Sequence, residues 1–149
     1  MCRSGCCMFR VNLRSANVIL TDLPENLLQL KQNVDENIPW LKGCVQTVAL
    51  TWGITFESEP FDFLLMADCI YYPEVVEKLV KTLIELTTPK TVLLICQELR
   101  ETEKQKNTWK MFLNLLLEHF EVSYVPEEEQ HPIFSSSDII LINAKKKCL

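Results

Sequence analysis

The run FDFLLMADCIYY, residues 61–72, is apolar until Asp68; Tyr71 follows three residues later, and Pro73 then opens a helical pattern. A carboxylate and an aromatic hydroxyl just beyond the C-terminal end of a buried strand sit where open α/β sheets keep their ligands. Asp68 and Tyr71 are therefore the residues expected to do chemistry. The same residues also have a plainer use, since Asp68 before Pro73 can end a strand and start a turn, with Tyr71 and Tyr72 as rim packing. Cys69 lies between them, but no histidine follows locally to make it a nucleophile, and a free cysteine is usually a small buried hydrophobe. Only Gly5, Gly43 and Gly53 occur in the chain, and no two of them are close enough to form a Gly-rich cofactor loop.

Composition narrows the classes. At 149 residues, 48% hydrophobic and 23% charged, the chain fits one soluble domain with a sizeable core. A formal charge of −5 argues against a nucleic-acid or anionic-membrane binder, which needs a basic surface to neutralise phosphates. The one basic run, residues 145–147, reads as a solvated tail. Seven cysteines, an odd count without a secretory signal, argue for reduced thiols and a cytoplasmic protein. His119 and His131 are too isolated to complete a zinc site with Cys2, Cys6 and Cys7, so no metal is expected. Residues 1–15 have scattered arginine and no apolar core of signal-peptide length, so neither an export signal nor a membrane span is expected there.

The elements that must position Asp68 and Tyr71 follow from periodicity. Residues 17–20 form a short β run that stops at Thr21-Asp22, and Pro24 stands where a helix would start. Leu27, Leu30, Lys31, Val34 and Ile38 continue at helical spacing until Pro39. A second β run covers residues 45–50, closed by Thr51-Trp52-Gly53 and a polar loop to Pro60. Residues 61–67 are nearly all apolar, as expected of a strand buried on both faces of a parallel sheet. Pro73 introduces a helix with Val76, Leu79, Val80, Leu83 and Ile84 on one face, stopped by Thr88-Pro89. Residues 91–96 are another apolar strand. The longest helical pattern, residues 101–120, aligns Trp109, Phe112, Leu113, Leu116, Leu117 and Phe120 as core. Residues 121–125 and 139–143 read as two last strands joined by the acidic, turn-rich PEEEQHPIFSSS. With no helix between them, an antiparallel hairpin appended to a parallel sheet is expected, within an α/β architecture with helices on both faces.

In this setting VILTDL, the WG after a strand, and the strand-terminal ADCIYY resemble the class I S-adenosylmethionine-dependent methyltransferases. Within them the chain is similar to the methyltransferase-like protein-lysine methyltransferases that carry a D-x-x-Y motif. The resemblance covers residues 15–147 and implies a Rossmann-like, mostly parallel sheet. It further implies that Asp22 accepts hydrogen bonds from the ribose hydroxyls of S-adenosylmethionine, as suits an acceptor-only carboxylate facing a diol. Leu23 would pack at the adenosine, Trp52 would cover the adenine face, and Ala67 would line the pocket floor. Asp68 and Tyr71 would hold the substrate lysine, with Tyr72 at the entrance. A protein substrate is implied, such as an AAA-type ATPase or a chaperone. For Asp22 followed by Pro24, helix capping is the ordinary alternative, and an isolated Trp52 would more often be core.

The chain also departs from the family pattern. Family members have a first strand ending in an E-x-G-x-G-x-G type loop, whose glycines admit the cofactor's methionine portion; nothing here matches it. The resemblance therefore implies a single partial methyltransferase domain over residues 1–149, N-terminally truncated, with residues 1–15 unmatched. The missing strand would lie between the strands at residues 17–20 and 61–67 and leave both without a neighbour. The apolar run CMFRVNL, residues 7–13, is expected to occupy part of that gap. Two functions follow: a protein-lysine methyltransferase, or a non-catalytic methyltransferase-like module that binds protein through the Asp68 and Tyr71 surface.

Overall fold

Val18, Ile19 and Thr21 give β-branched side chains to β1, Asn17–Asp22, the first element of the computed structural model, which describes residues 16–40 and 43–148. The chain divides into two units, Met1–Thr51 and Trp52–Leu149. The run at residues 7–13 lies outside the described residues.

In the first unit β1 pairs in parallel with β2, Cys44–Ala49, in a register running from Asn17 opposite Cys44 to Asp22 opposite Ala49. The Leu50 N–H adds a last rung to the Asp22 carbonyl at 2.9 Å. Parallel strands need a crossover, and helix α1, Leu27–Asn37, provides it. Pro24 opens the crossover as the first residue of a 3-10 turn, Pro24–Asn26, its fixed φ and missing N–H suiting a first helical position. Pro39 falls in a second 3-10 turn, Ile38–Trp40, which ends the helix as expected. Gly43 leads into β2 so close to Ala16 that an added Cβ would stand 2.1 Å from the Ala16 carbonyl oxygen, a contact only glycine avoids.

The second unit holds four strands in the order β3-β4-β6-β5: β3 is Phe63–Ala67, β4 Val92–Glu98, β5 Phe120–Tyr124 and β6 Ile139–Lys146. β3 and β4 are parallel, and β6 runs antiparallel to both β4 and β5. The expected hairpin of β5 and β6 is present. Its last strand is inserted beside β4 rather than appended at the rim, so the hairpin's second arm joins the parallel and antiparallel parts of the sheet.

Helix α2, Pro73–Leu86, connects β3 to β4, and helix α3, Glu103–His119, connects β4 to β5. Both connections move the same way across the sheet, so right-handed crossovers place both helices on one face. Leu93 and Ile95 of β4 and Ile142 and Ala144 of β6 are buried on that face. Val76, Leu79, Val80 and Leu83 of α2 and Phe112 and Leu116 of α3, with Phe120, complete the core. Leu117 is 44% exposed, so the stripe of α3 is narrower than its apolar pattern. The helix begins at Glu103 because Thr102 caps it, its hydroxyl accepting the Gln105 N–H.

Two expectations are corrected. The strand at residues 61–67 is not buried on both faces: β3 is an edge strand with β4 as its one partner among the described residues, and Phe63 and Leu65 are exposed. Both side chains lie on the face opposite α2 and α3, which these two helices cannot cover. Residues 145–147 are likewise not a merely solvated tail. The Lys146 ammonium donates to the carbonyls of Ile84, at 2.7 Å, and Thr87, at 3.1 Å, at the C-terminal end of α2. The Lys147 ammonium donates to the Leu117 carbonyl of α3 at 2.7 Å. The last carbonyls of a helix have no partner within it and carry the negative end of its dipole. Lys146→Met should therefore cost about 1.5–3 kcal/mol, the range of a hydrogen bond to a charged donor, read as a lower urea midpoint; the exposed Lys147→Met should cost less.

Candidate active site

The backbone prepares the site before any side chain does. The Asp68 N–H donates to the Cys96 carbonyl at 2.8 Å, the last rung between β3 and β4. The chain then breaks from the sheet, because Asp68 has φ +44°, the one positive φ at a non-glycine residue among those described. That conformation costs on the order of 1–3 kcal/mol and survives only when the surroundings enforce it; aspartate is among the residues that tolerate it best.

What enforces it comes from β4. Ala67 lies opposite Cys96, so Gln97, the next residue of β4, falls beside Asp68. Gln97 is 4% exposed. Its Oε1 accepts the Ile70 N–H at 3.1 Å, which fixes the amide orientation and turns Nε2 toward the Asp68 Oδ1 at 2.8 Å and the Glu98 carbonyl at 3.1 Å. The other carboxylate oxygen, Oδ2, accepts from Arg100 Nη2 at 2.8 Å, and Arg100 Nε reaches Glu98 Oε2 at 3.3 Å. One buried amide and one half-exposed guanidinium thus hold the two oxygens of Asp68.

Tyr71 and Tyr72 follow before Pro73 starts α2, their rings edge to face with centroids 5.0 Å apart. Tyr71 is half-buried and Tyr72 exposed, with the Lys104 ammonium 6.0 Å above the Tyr72 ring. Cys69 is buried and its thiol donates to the Ala67 carbonyl at 3.1 Å, in keeping with a structural cysteine. A cleft of about 180 Å³ opens against Gln97 and Arg100, with Ile70 and Trp109 among its walls. Trp109, expected as plain core, is half-buried there and stacks on Phe112.

Trp52 is also half-buried and is set by its neighbour. Gly53 has φ +86°, and its N–H donates to the Thr82 hydroxyl on α2 at 2.8 Å. An added Cβ would stand 3.2 Å from the Lys78 side chain, so both space and conformation favour glycine after Trp52.

In the first unit Asp22 ends β1 and is half-buried, with Leu23 exposed beside it. The capping alternative does not hold in its ordinary form. Asp22 Oδ1 accepts the N–H of the next residue, Leu23, at 2.7 Å and the Asn26 side-chain amide at 2.9 Å, whereas a capping oxygen accepts N–H groups two or three residues on. Oδ2 accepts no hydrogen bond among the described residues. An oriented carboxylate with one oxygen left for a donor fits a sugar diol.

Asp68, Tyr71, Tyr72 and Ala67 come from one strand end, as the sequence implies. Gln97 and Arg100 were not anticipated. The signal for Gln97 was the polar pair Gln97-Glu98 closing the apolar run VLLIC, at the strand end that lies beside Asp68 in a parallel pair.

The sequence matches the family model described as lysine methyltransferase over residues 4–119. It is 31% identical over 125 residues to EEF1A lysine methyltransferase 3 of Xenopus tropicalis, covering 83% of this chain and 54% of that protein. It is 34% identical over 125 residues to protein N-lysine methyltransferase METTL21A of Danio rerio, covering 81% and 55%. The chain spans about half the length of these curated relatives. Its structure is similar to that of the CurJ carbon methyltransferase, with a TM-score of 0.62 at 16% identity over 93% of this chain and 44% of that one, a likeness of fold.

Proposed function

This chain belongs to the lysine methyltransferase family and has the Rossmann-like α/β fold of class I methyltransferases, and from that premise we propose that it transfers a methyl group to the side-chain amine of a protein lysine. The observation that carries the reading is Asp68, a carboxylate held at a strand end in a costly backbone conformation by Gln97 and Arg100.

When bound, S-adenosylmethionine supplies an electrophilic methyl group on a sulfonium sulfur. The residues of this chain have to bring a neutral amine into line with it, and positioning alone accounts for much of such an acceleration. Asp68 attracts the incoming ammonium, orients the amine once its proton has left for solvent, and stabilises the cation regenerated by methylation. Tyr71 adds an aromatic face, whose cation–π attraction is worth about 0.5–2 kcal/mol, and Tyr72 lines the entrance. Neither group has to be a strong base. For the cofactor, Asp22 Oδ2 would accept from the ribose hydroxyls and Leu23 would pack at the adenosine, while Trp52 would cover the adenine and Ala67 would line the pocket floor.

The partner in this reading is a protein of the AAA-type ATPase or chaperone class, met in the cytoplasm. The odd count of seven cysteines suits reduced thiols in that compartment. No helix among the described residues is long and apolar enough to cross a membrane.

Calorimetry with S-adenosylmethionine tests the proposal. Saturable binding is expected, weakened roughly 10- to 100-fold by Asp22→Ala, as for loss of charge-assisted hydrogen bonds. A second reading, a non-catalytic module that binds protein, is favoured by the lack of any Gly-rich loop in these 149 residues. Absence of heat from the demonstrably folded chain would select it.

A further inference from the structure

The two oxygens of Asp68 are held unequally. Gln97 is buried, and all three of its side-chain hydrogen bonds are mutually consistent, so its grip on Oδ1 is fixed. Arg100 is 42% exposed, stands on the segment just after β4, and has a second carboxylate, Glu98, within reach of its Nε. Leaving Oδ2 would not strand its charge, because Glu98 remains as a partner.

We propose that Arg100 is a stand-in for the substrate's ammonium: it occupies Asp68 Oδ2 in the free protein, keeps the carboxylate in its strained position, and yields that oxygen to an incoming primary ammonium while staying paired with Glu98. This rests on the reading of Asp68 as the lysine acceptor. The exchange replaces one charge-assisted hydrogen bond with another, so no buried charge is left uncompensated. It makes Arg100 a specificity-determining residue, since a neutral ligand cannot displace the guanidinium on equal terms. An ion pair this exposed is weak, so its displacement reduces ammonium affinity by only about two- to fivefold.

The test is a chemical-shift titration of the full chain with n-butylammonium, the charged end of a lysine side chain. Arg100→Met should bind about two- to fivefold more tightly than the native chain. Lys106→Met, which removes a cation from the same cleft without touching Asp68, should not. Asp68→Asn should abolish binding in either background. In the native chain the Arg100 Nε resonance should shift during the titration while the Gln97 side-chain amide stays in place. Unchanged or weaker binding by Arg100→Met, or equal tightening by Lys106→Met, would overturn the stand-in while loss of binding in Asp68→Asn still upheld Asp68 as the ammonium acceptor. Binding that survives Asp68→Asn, or no binding by any variant, would overturn both.

Discussion

Asp68→Asn is expected to lower kcat/KM for a protein-lysine substrate by roughly 10²–10³-fold, the scale set by removing one preorganised polar group at a reacting centre. The substitution isolates charge from geometry. Asparagine tolerates a positive φ nearly as well as aspartate, and its side-chain oxygen can still accept from Gln97 Nε2. What disappears is the negative charge that, in the proposed mechanism, draws the ammonium and stabilises the methylated product. Stability should change little, because the ion pair lost with Arg100 is half-exposed. Transfer of label from S-adenosylmethionine, with thermal unfolding alongside, checks both halves. Full activity in Asp68→Asn would remove Asp68 from the chemistry.

The second large effect is on stability. Phe112→Ala should destabilise the protein by about 3–5 kcal/mol, a large share of the roughly 5–15 kcal/mol that separates most folded proteins from their unfolded chains. Phe112 has no exposed surface and stacks on Trp109, with ring centroids 5.7 Å apart. It lies in one core with Leu116 and Phe120, both also fully buried. Close-packed neighbours relax only partly around a missing ring, so the cavity adds to the lost transfer energy. Leu117→Ala in the same helix is the comparison: at 44% exposure it removes little buried surface and should cost under about 1 kcal/mol. Urea unfolding of the two variants measures the difference.

Both predictions touch residues that the sequence places well, and the reasons are physical. Phe112 recurs at helical spacing with Leu116, and a stripe of that period has one way to be buried. Asp68 interrupts an apolar run, and strand ends in α/β sheets are where such polar residues gather. The order of strands and helices, the Pro-opened helices and the antiparallel last pair are legible for the same reason: each depends on neighbours in the chain. What was missed depends on neighbours in space. Gln97 and Arg100 meet Asp68 across about thirty positions of sequence. The roles of Lys146 and Lys147 exist only because β6 ends beside two helix termini. The exposure of Phe63 and Leu65 shows a further limit, since the apolarity of a strand reports what its faces favour and not which elements cover them.

The position of β6 has a consequence for biosynthesis. It leaves the ribosome after the other strands described here, yet it lies between β4 and β5, with Ala144 opposite Leu93 and Val122. Until residues 139–146 emerge, β4 lacks one flank and β5 has no partner in this sheet, so the second unit cannot close progressively from its N-terminal side. Such a late, long-range pairing is slow to form and leaves strand edges open to other chains until that segment has been made. Loss of residues 139–146 would take away the middle of the sheet and not its margin.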